Sequence, residues 1–115
     1  MYRFYRSKNK YKALPAYYNG FTYASIKEMK YAMDLDFRKK VHDIKDWDKQ
    51  IKIPLIVNGV KVCTYIPDFK VIHNNDTIEL VEVKGFKTSV FKLKLKLFKA
   101  TYLKENPEIK YTIEE

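Results

Sequence analysis

The sequence predicts a single-domain α/β (α+β) fold in the order helix, three-stranded antiparallel meander, helix, strand, with a central mixed sheet flanked by helices. Three observations carry that expectation. Two pairs of strand-length apolar runs each flank a polar turn, Asn58-Gly59 in the first and His73-Asn74-Asn75-Asp76 in the second. Two other segments, opening at Ser25 and near Thr88, repeat apolar residues at helical spacing. A length of 115 residues leaves no room for a second domain.

Residues 1–15 form a basic and aromatic arm in which Arg3, Arg6, Lys8, Lys10 and Lys12 interleave with Tyr2, Phe4, Tyr5 and Tyr11. Two readings stand side by side: a solvated terminus, the usual fate of such a run, or an arm that grips phosphates and stacks its rings on exposed bases. Residues 17–23 then read as a small hairpin on Asn19-Gly20. The first helix starts at Ser25, where Ser25-Ile26-Lys27-Glu28 fits a capping box. Ile26, Met29, Met33 and Phe37, with Ala32 on the same side, form its apolar stripe, and the pattern ends near Lys40. Residues 41–49 mix charges around Ile44 and Trp47 and read as a connection.

Residues 51–57 and 60–65 make the first hairpin of the meander, and residues 68–84 make the second. Along Ile78, Leu80, Glu82 and Lys84, alternation puts four side chains on one sheet face, while Val81 and Val83 point the other way. A three-residue loop, Asn74-Asn75-Asp76 closed between His73 and Thr77, places Asp68 directly across from Glu82. A loop of two or four residues would set Asp68 against Val81 instead, unless Pro67 introduces a bulge. Beyond Gly85, Thr88 or Ser89 can cap a second helix. Its run Phe91-Lys92-Leu93-Lys94-Leu95-Lys96-Leu97 alternates like a strand, but Phe91, Leu95, Phe98 and Tyr102 form a helical stripe, and Leu, Lys and Ala favour helix. Pro107 stops it. Residues 109–113 are a last strand, which a right-handed crossover lays parallel to the strand of Glu82.

Composition narrows the partners. A formal net charge of +9 on so short a chain points to a polyanion, most simply nucleic acid. The opening residues are basic without a following apolar stretch, so no signal peptide is expected. No window approaches membrane-spanning length, so no membrane partner is expected either. The single Cys63 excludes an internal disulfide and fits a reducing compartment such as the cytoplasm. Two histidines and one cysteine do not suit a zinc site. Paired carboxylates beside a lysine suit Mg²⁺, which takes a few hard oxygen ligands and shares its shell with substrate phosphates.

Pro67-Asp68, a hairpin, then Glu82-Val83-Lys84 resembles the signature of the PD-(D/E)XK nuclease superfamily, and the pattern of elements agrees with the restriction-endonuclease-like core of that superfamily. More narrowly, the chain resembles small phage- and prophage-encoded nucleases described as Holliday-junction-resolvase-like. The residues that carry this resemblance are Gly20-Phe21-Thr22-Tyr23-Ala24-Ser25-Ile26-Lys27-Glu28, Tyr65-Ile66-Pro67-Asp68-Phe69 and Val81-Glu82-Val83-Lys84-Gly85-Phe86-Lys87-Thr88.

The resemblance implies that Asp68 and Glu82 hold Mg²⁺ or Mn²⁺, that Lys84 is the motif lysine, and that Glu28 lines the site from the first helix. The capping box implies instead that Glu28 serves only the helix end. The implied activity is hydrolysis of DNA phosphodiesters, on branched DNA, in the cytoplasm of the host cell for a phage-encoded chain. Arg3, Arg6, Lys8, Lys87, Lys92, Lys96 and Lys99 are the candidate phosphate contacts, the last three sharing one helix face. Solvated surface is the competing reading for each of them. Junction-resolving relatives imply a homodimer, with Tyr17, Tyr18, Phe21 and Tyr23 available as apolar contact or as core. Two other functions stay open: a catalytically silent DNA-binding or regulatory module on the same fold, and an RNA-processing nuclease.

Overall fold

The computed structural model describes residues 16–83 and 88–115. The arm with Arg3, Arg6 and Lys8, and the segment with Lys84 and Lys87, lie outside the described residues. The fold opens with the hairpin β1 (Ala16–Tyr18) and β2 (Phe21–Tyr23), whose turn residues Asn19 and Gly20 take φ of 51° and 88°. Two consecutive positive φ angles match the twist of paired strands, and Asn-Gly adopts them at little cost. Helix α1 (Ile26–Lys40) follows, with the Ser25 hydroxyl accepting from Glu28 N–H at 3.1 Å and three basic residues closing its last turn.

The remaining elements are β3 (Asp46–Lys49), β4 (Ile53–Val57), β5 (Val60–Tyr65), β6 (Phe69–Ile72), β7 (Ile78–Val83), α2 (Ser89–Ala100), α3 (Tyr102–Glu105) and β8 (Lys110–Glu114). The central sheet runs β3-β6-β7-β8, with β3, β6 and β7 antiparallel and β8 parallel to β7. The result is an α+β domain with a mixed sheet, as expected from the sequence. Among the described residues no helix is long and apolar enough to cross a membrane.

The strand that opens the sheet is not the expected one. Residues 46–49, read as a connection, pair with β6 from Asp46↔Ile72 to Lys49↔Phe69. Residues 53–65 form a separate two-stranded sheet, β4 with β5. The cause lies at two backbone positions. Gln50 sits at φ 55° and turns the chain away as its N–H donates to Asp68 O at 3.0 Å. Pro67 has no N–H with which to carry β5 onward into a ladder. The sequence Asp-Trp-Asp-Lys shows only one apolar side chain because β3 is a short edge strand, where charge guards the open side.

Both faces of the sheet are covered. Phe69, Val71, Val81 and Val83 pack on Ala32 and Leu35 of α1, together with Tyr23 and Ile44. On the other face Leu80 meets Phe98 of α2, Tyr65 of β5 and Leu55 of β4. The stripe Phe91, Leu95, Phe98, Tyr102 packs as patterning predicts, although the helix is interrupted at Thr101, whose hydroxyl donates to Leu97 O at 2.7 Å.

Helix α1 is turned relative to its expected stripe. Ile26, Met33 and Phe37 are exposed, Phe37 by 61%, while Ala32 and Leu35 are fully buried. Polar residues share the inward side, which hid it from an apolar count. Asp36 accepts from Tyr18 O–H at 2.6 Å and Trp47 Nε1–H at 2.9 Å, and Glu28 is half-buried. These two bonds tie the first hairpin and β3 to the helix; Tyr23 is buried in the core and Tyr18 packs against it, while Tyr17 and Phe21 stay exposed.

Candidate functional site

The β6–β7 hairpin closes through His73 N–H to Thr77 O at 2.9 Å, and the ladder runs Phe69↔Val81, Lys70↔Leu80, Val71↔Glu79 and Ile72↔Ile78. Carried one pair further, that register sets Asp68 opposite Glu82, as the three-residue loop requires. Each carboxyl bears on the ionisation of the other. Two like charges facing each other across half-buried strand ends disfavour one another's ionised form. Burial is the largest influence on both, and each titrates above its usual range.

Each carboxyl is also held by a donor. Val83 N–H donates to Asp68 Oδ2 at 2.8 Å, which opposes the effect of burial. Tyr65 O–H donates to Glu82 Oε1 at 2.6 Å and shares a further bond with Tyr111 O–H at 2.7 Å. Tyr65 is itself buried between Phe98 and Tyr111, with ring centroids at 4.6 Å and 6.4 Å. Burial and the bond to Glu82 push its phenol far up, so it stays a donor across the physiological range. Burial likewise raises Tyr111 to about 12.

Glu28 joins the pair from the first turn of α1. Its backbone N–H serves the Ser25 cap, but the reciprocal bond of a full capping box is absent among the described residues. Burial first, then the charge of Asp68, push Glu28 up to about 7, while Lys49 pulls it down. Glu28 in turn raises Glu82. Three half-buried carboxyls therefore feel one another at the open end of β6 and β7. No direct salt bridge neutralises any of them among the described residues.

Lys49 is the neighbouring cation, and sequence reasoning missed it because its strand was read as a connection. Its Nζ donates to Thr22 O at 3.2 Å and lies 4.4 Å from the centroid of the Tyr23 ring. That ring is buried, and its hydroxyl has no hydrogen-bond partner among the described residues. Lys49 favours the ionised forms of both Glu28 and Asp68. Tyr65 was legible only as part of the Tyr65-Ile66-Pro67-Asp68 string, with no role attached.

The donor set, carboxylate oxygens, is of the hard kind that Mg²⁺ and Mn²⁺ take. Mutual repulsion among buried acids is what a divalent cation relieves, so the residues fit such an ion. Asp68 and Glu82 are the pair that would hold it. No three His, Cys, Asp or Glu side chains group around a single point as a metal site among the described residues. Of the candidate phosphate contacts on α2, Lys92, Lys96 and Lys99 are all exposed along one side. Lys94 is half-buried and donates to Thr64 O at 3.1 Å.

The fold and these residues define a small α+β protein with a desolvated acidic centre at one end of a mixed sheet, within a strongly basic chain. The sequence matches the family model described as "Protein of unknown function (DUF1064)" over residues 8–113, and the chain belongs to that family. No curated protein and no solved structure matches it.

Proposed function

We propose that this chain is a Mg²⁺-dependent endodeoxyribonuclease of the PD-(D/E)XK kind, hydrolysing phosphodiesters in branched DNA. The observation that carries the reading is the cross-strand pair Asp68–Glu82, set opposite one another and half-buried at the end of β6 and β7, with Glu28 near enough to feel Asp68. Placing like charges together costs stability, and a fold that needed only a stable strand end would separate them. A net charge of +9 around an acidic centre is the second support, because it draws a phosphate backbone toward groups that would otherwise repel it.

When bound, a divalent cation supplies Lewis acidity and a lowered pKa for the attacking water. The chain's own residues do the rest. Asp68 is fixed by Val83 N–H and Glu82 by Tyr65 O–H, and each keeps a second carboxyl oxygen that would be available to hold the cation. Lys49 favours ionised Asp68 and Glu28 in competition with their burial. Glu28, poised near neutrality, is suited to accept a proton from the nucleophilic water. Lys84, by the resemblance, orients that water or offsets charge on the phosphate. Exposed Lys92, Lys96 and Lys99 contact flanking phosphates without reading bases.

Cleavage assays on a four-way junction, linear duplex, single strand and RNA test the proposal. Activity should vanish in EDTA and return with Mg²⁺ or Mn²⁺, and Asp68→Ala or Glu82→Ala should each lower it at least about a hundredfold while leaving a folded chain. DNA binding without cutting under all conditions would favour the silent module, and preferential cutting of RNA would favour the RNA-processing reading.

A further inference from the structure

Next to Glu82 a cleft of about 280 Å³ opens between the end of β5 and the first turns of α2. Among the described residues its walls include Ile66, Val90 and Phe91, with Thr88 and Lys94 supplying polar groups and Glu82 linking it to the acidic centre. Ile66 and Val90 are 43% and 62% exposed, so two aliphatic side chains face solvent across a slot beside a carboxylate. The core does not require them there. An ammonium has three hydrogens, and Lys94 Nζ spends one on Thr64 O at 3.1 Å, which leaves donors for a phosphate.

We propose that this cleft receives one unpaired nucleobase of the DNA strand that runs through the acidic centre. Apolar faces around a flat ring, a cation for the adjoining phosphate, and a metal-binding carboxylate at the edge match the three parts of a nucleotide. A base that is stacked and paired within continuous duplex cannot enter such a slot without leaving the helix. The substrate class is accordingly DNA with an unstacked nucleotide next to the cut, as at a junction, a flap or a single strand. The inference rests on the nuclease reading of Asp68 and Glu82 and narrows its substrate.

The test uses the full chain and fluorescence anisotropy in Ca²⁺, with three probes of equal length: oligothymidylate, its duplex with oligodeoxyadenylate, and an abasic strand. Val90→Trp fills the cleft from an exposed helix position. It should weaken oligothymidylate binding about tenfold while duplex and abasic strand bind as they do to the unaltered chain. Should Val90→Trp fail to fold, Ile66→Trp fills the same cleft from the other wall. Equal weakening of all three probes, or of none, overturns the proposal. Metal-dependent cutting by the unaltered chain is measured separately. Cutting without a Val90→Trp effect removes only the base slot, and the selective Val90→Trp effect without cutting removes only the nuclease.

Discussion

Tyr65 donates its hydroxyl to Glu82 Oε1 at 2.6 Å, from a strand that does not belong to the sheet carrying Glu82. The β4–β5 hairpin thus reaches the acidic centre through one buried phenol, whose ring is fixed by Phe98 and whose oxygen also meets Tyr111. A role for the hairpin follows: it holds the orientation of one carboxyl of the acidic centre.

Tyr65→Phe keeps the ring and removes the bond. The expected loss of stability is about 1–2 kcal/mol, since the Tyr111 hydroxyl is orphaned as well. The bond lowers the pKa of Glu82, so its removal raises that pKa further. The acid limb of the cleavage profile should move to higher pH by about half a unit to one unit. A pH–rate profile on the same junction substrate reads this shift. A purely structural tyrosine would change the melting temperature and leave the limb in place.

Acids with raised pKa values make the metal-free fold sensitive to alkali. Glu28 binds its proton more tightly folded than unfolded, with a folded value of about 7 against an ordinary 4.5. Its contribution is therefore fully present below the unfolded value and is lost as pH rises through about 7. Asp68 and Glu82 act in the same direction. Glu79 acts in the opposite one. Burial would raise it, but bonds from Thr112 at 2.5 Å and with His73 at 2.8 Å outweigh burial and hold it low, so its contribution is lost as pH falls into the acid range. Melting in EDTA should therefore peak in mildly acidic buffer and decline toward pH about 8. Mg²⁺ should raise the melting temperature at the alkaline end and hardly at all near pH 5. Asp68→Asn, which removes one of the repelling charges and keeps an acceptor for Val83 N–H, should raise the EDTA melting point at the alkaline end by a few degrees. Scanning calorimetry across the range checks all three.

Glu28→Gln separates two roles that share one position. Glutamine serves a helix cap as well as glutamate does. The structure has only the Ser25 half of the capping box, so the side chain is left for the acidic centre. Melting temperature in Mg²⁺ should change by less than about 2 °C, while cleavage falls at least about tenfold. Unchanged cleavage would return Glu28 to the helix end.

How much of this was legible in the sequence depends on what each element packs against. The β6–β7 register could be read because a turn of fixed length converts directly into cross-strand partners, and Asp68–Glu82 follows from it. The stripe of α2 could be read because Phe98 and its neighbours enter an apolar core. The inward face of α1 could not, because Asp36 and Glu28 bind polar partners there and apolar counting selects Ile26, Met33 and Phe37 instead. Strand β3 escaped for the same reason. Its pairing with β6 is a backbone ladder of an edge strand, which leaves three of four side chains charged. Lys49 and Tyr65 come to the site from opposite ends of this rearranged region, so no local motif pairs them with the carboxyls.

The exposed side of α1 leads to the last expectation. Ile26, Met33 and Phe37 recur at helical spacing yet face solvent, and Val41 continues the line at 50% exposure. A monomer gains nothing from four large apolar groups in a row on one helix face. The proposed function, applied to a four-way junction, takes two symmetric cuts, of which the acidic centre described above supplies one. A twofold contact through this helix face would cover the stripe and, under the proposed function, supply the second cut, because an isologous interface buries the same stripe twice and repeats the acidic centre at a fixed spacing. The exposed Tyr17 and Phe21 of the first hairpin are the other apolar contacts available to it. Sedimentation should thus give a dimer, and Phe37→Asp should convert it to a monomer without lowering its melting temperature by more than a few degrees. That monomer should still nick DNA in Mg²⁺, but paired incisions on a synthetic junction should be lost, with single nicks in their place. Paired incisions surviving in a Phe37→Asp monomer would separate junction resolution from this surface.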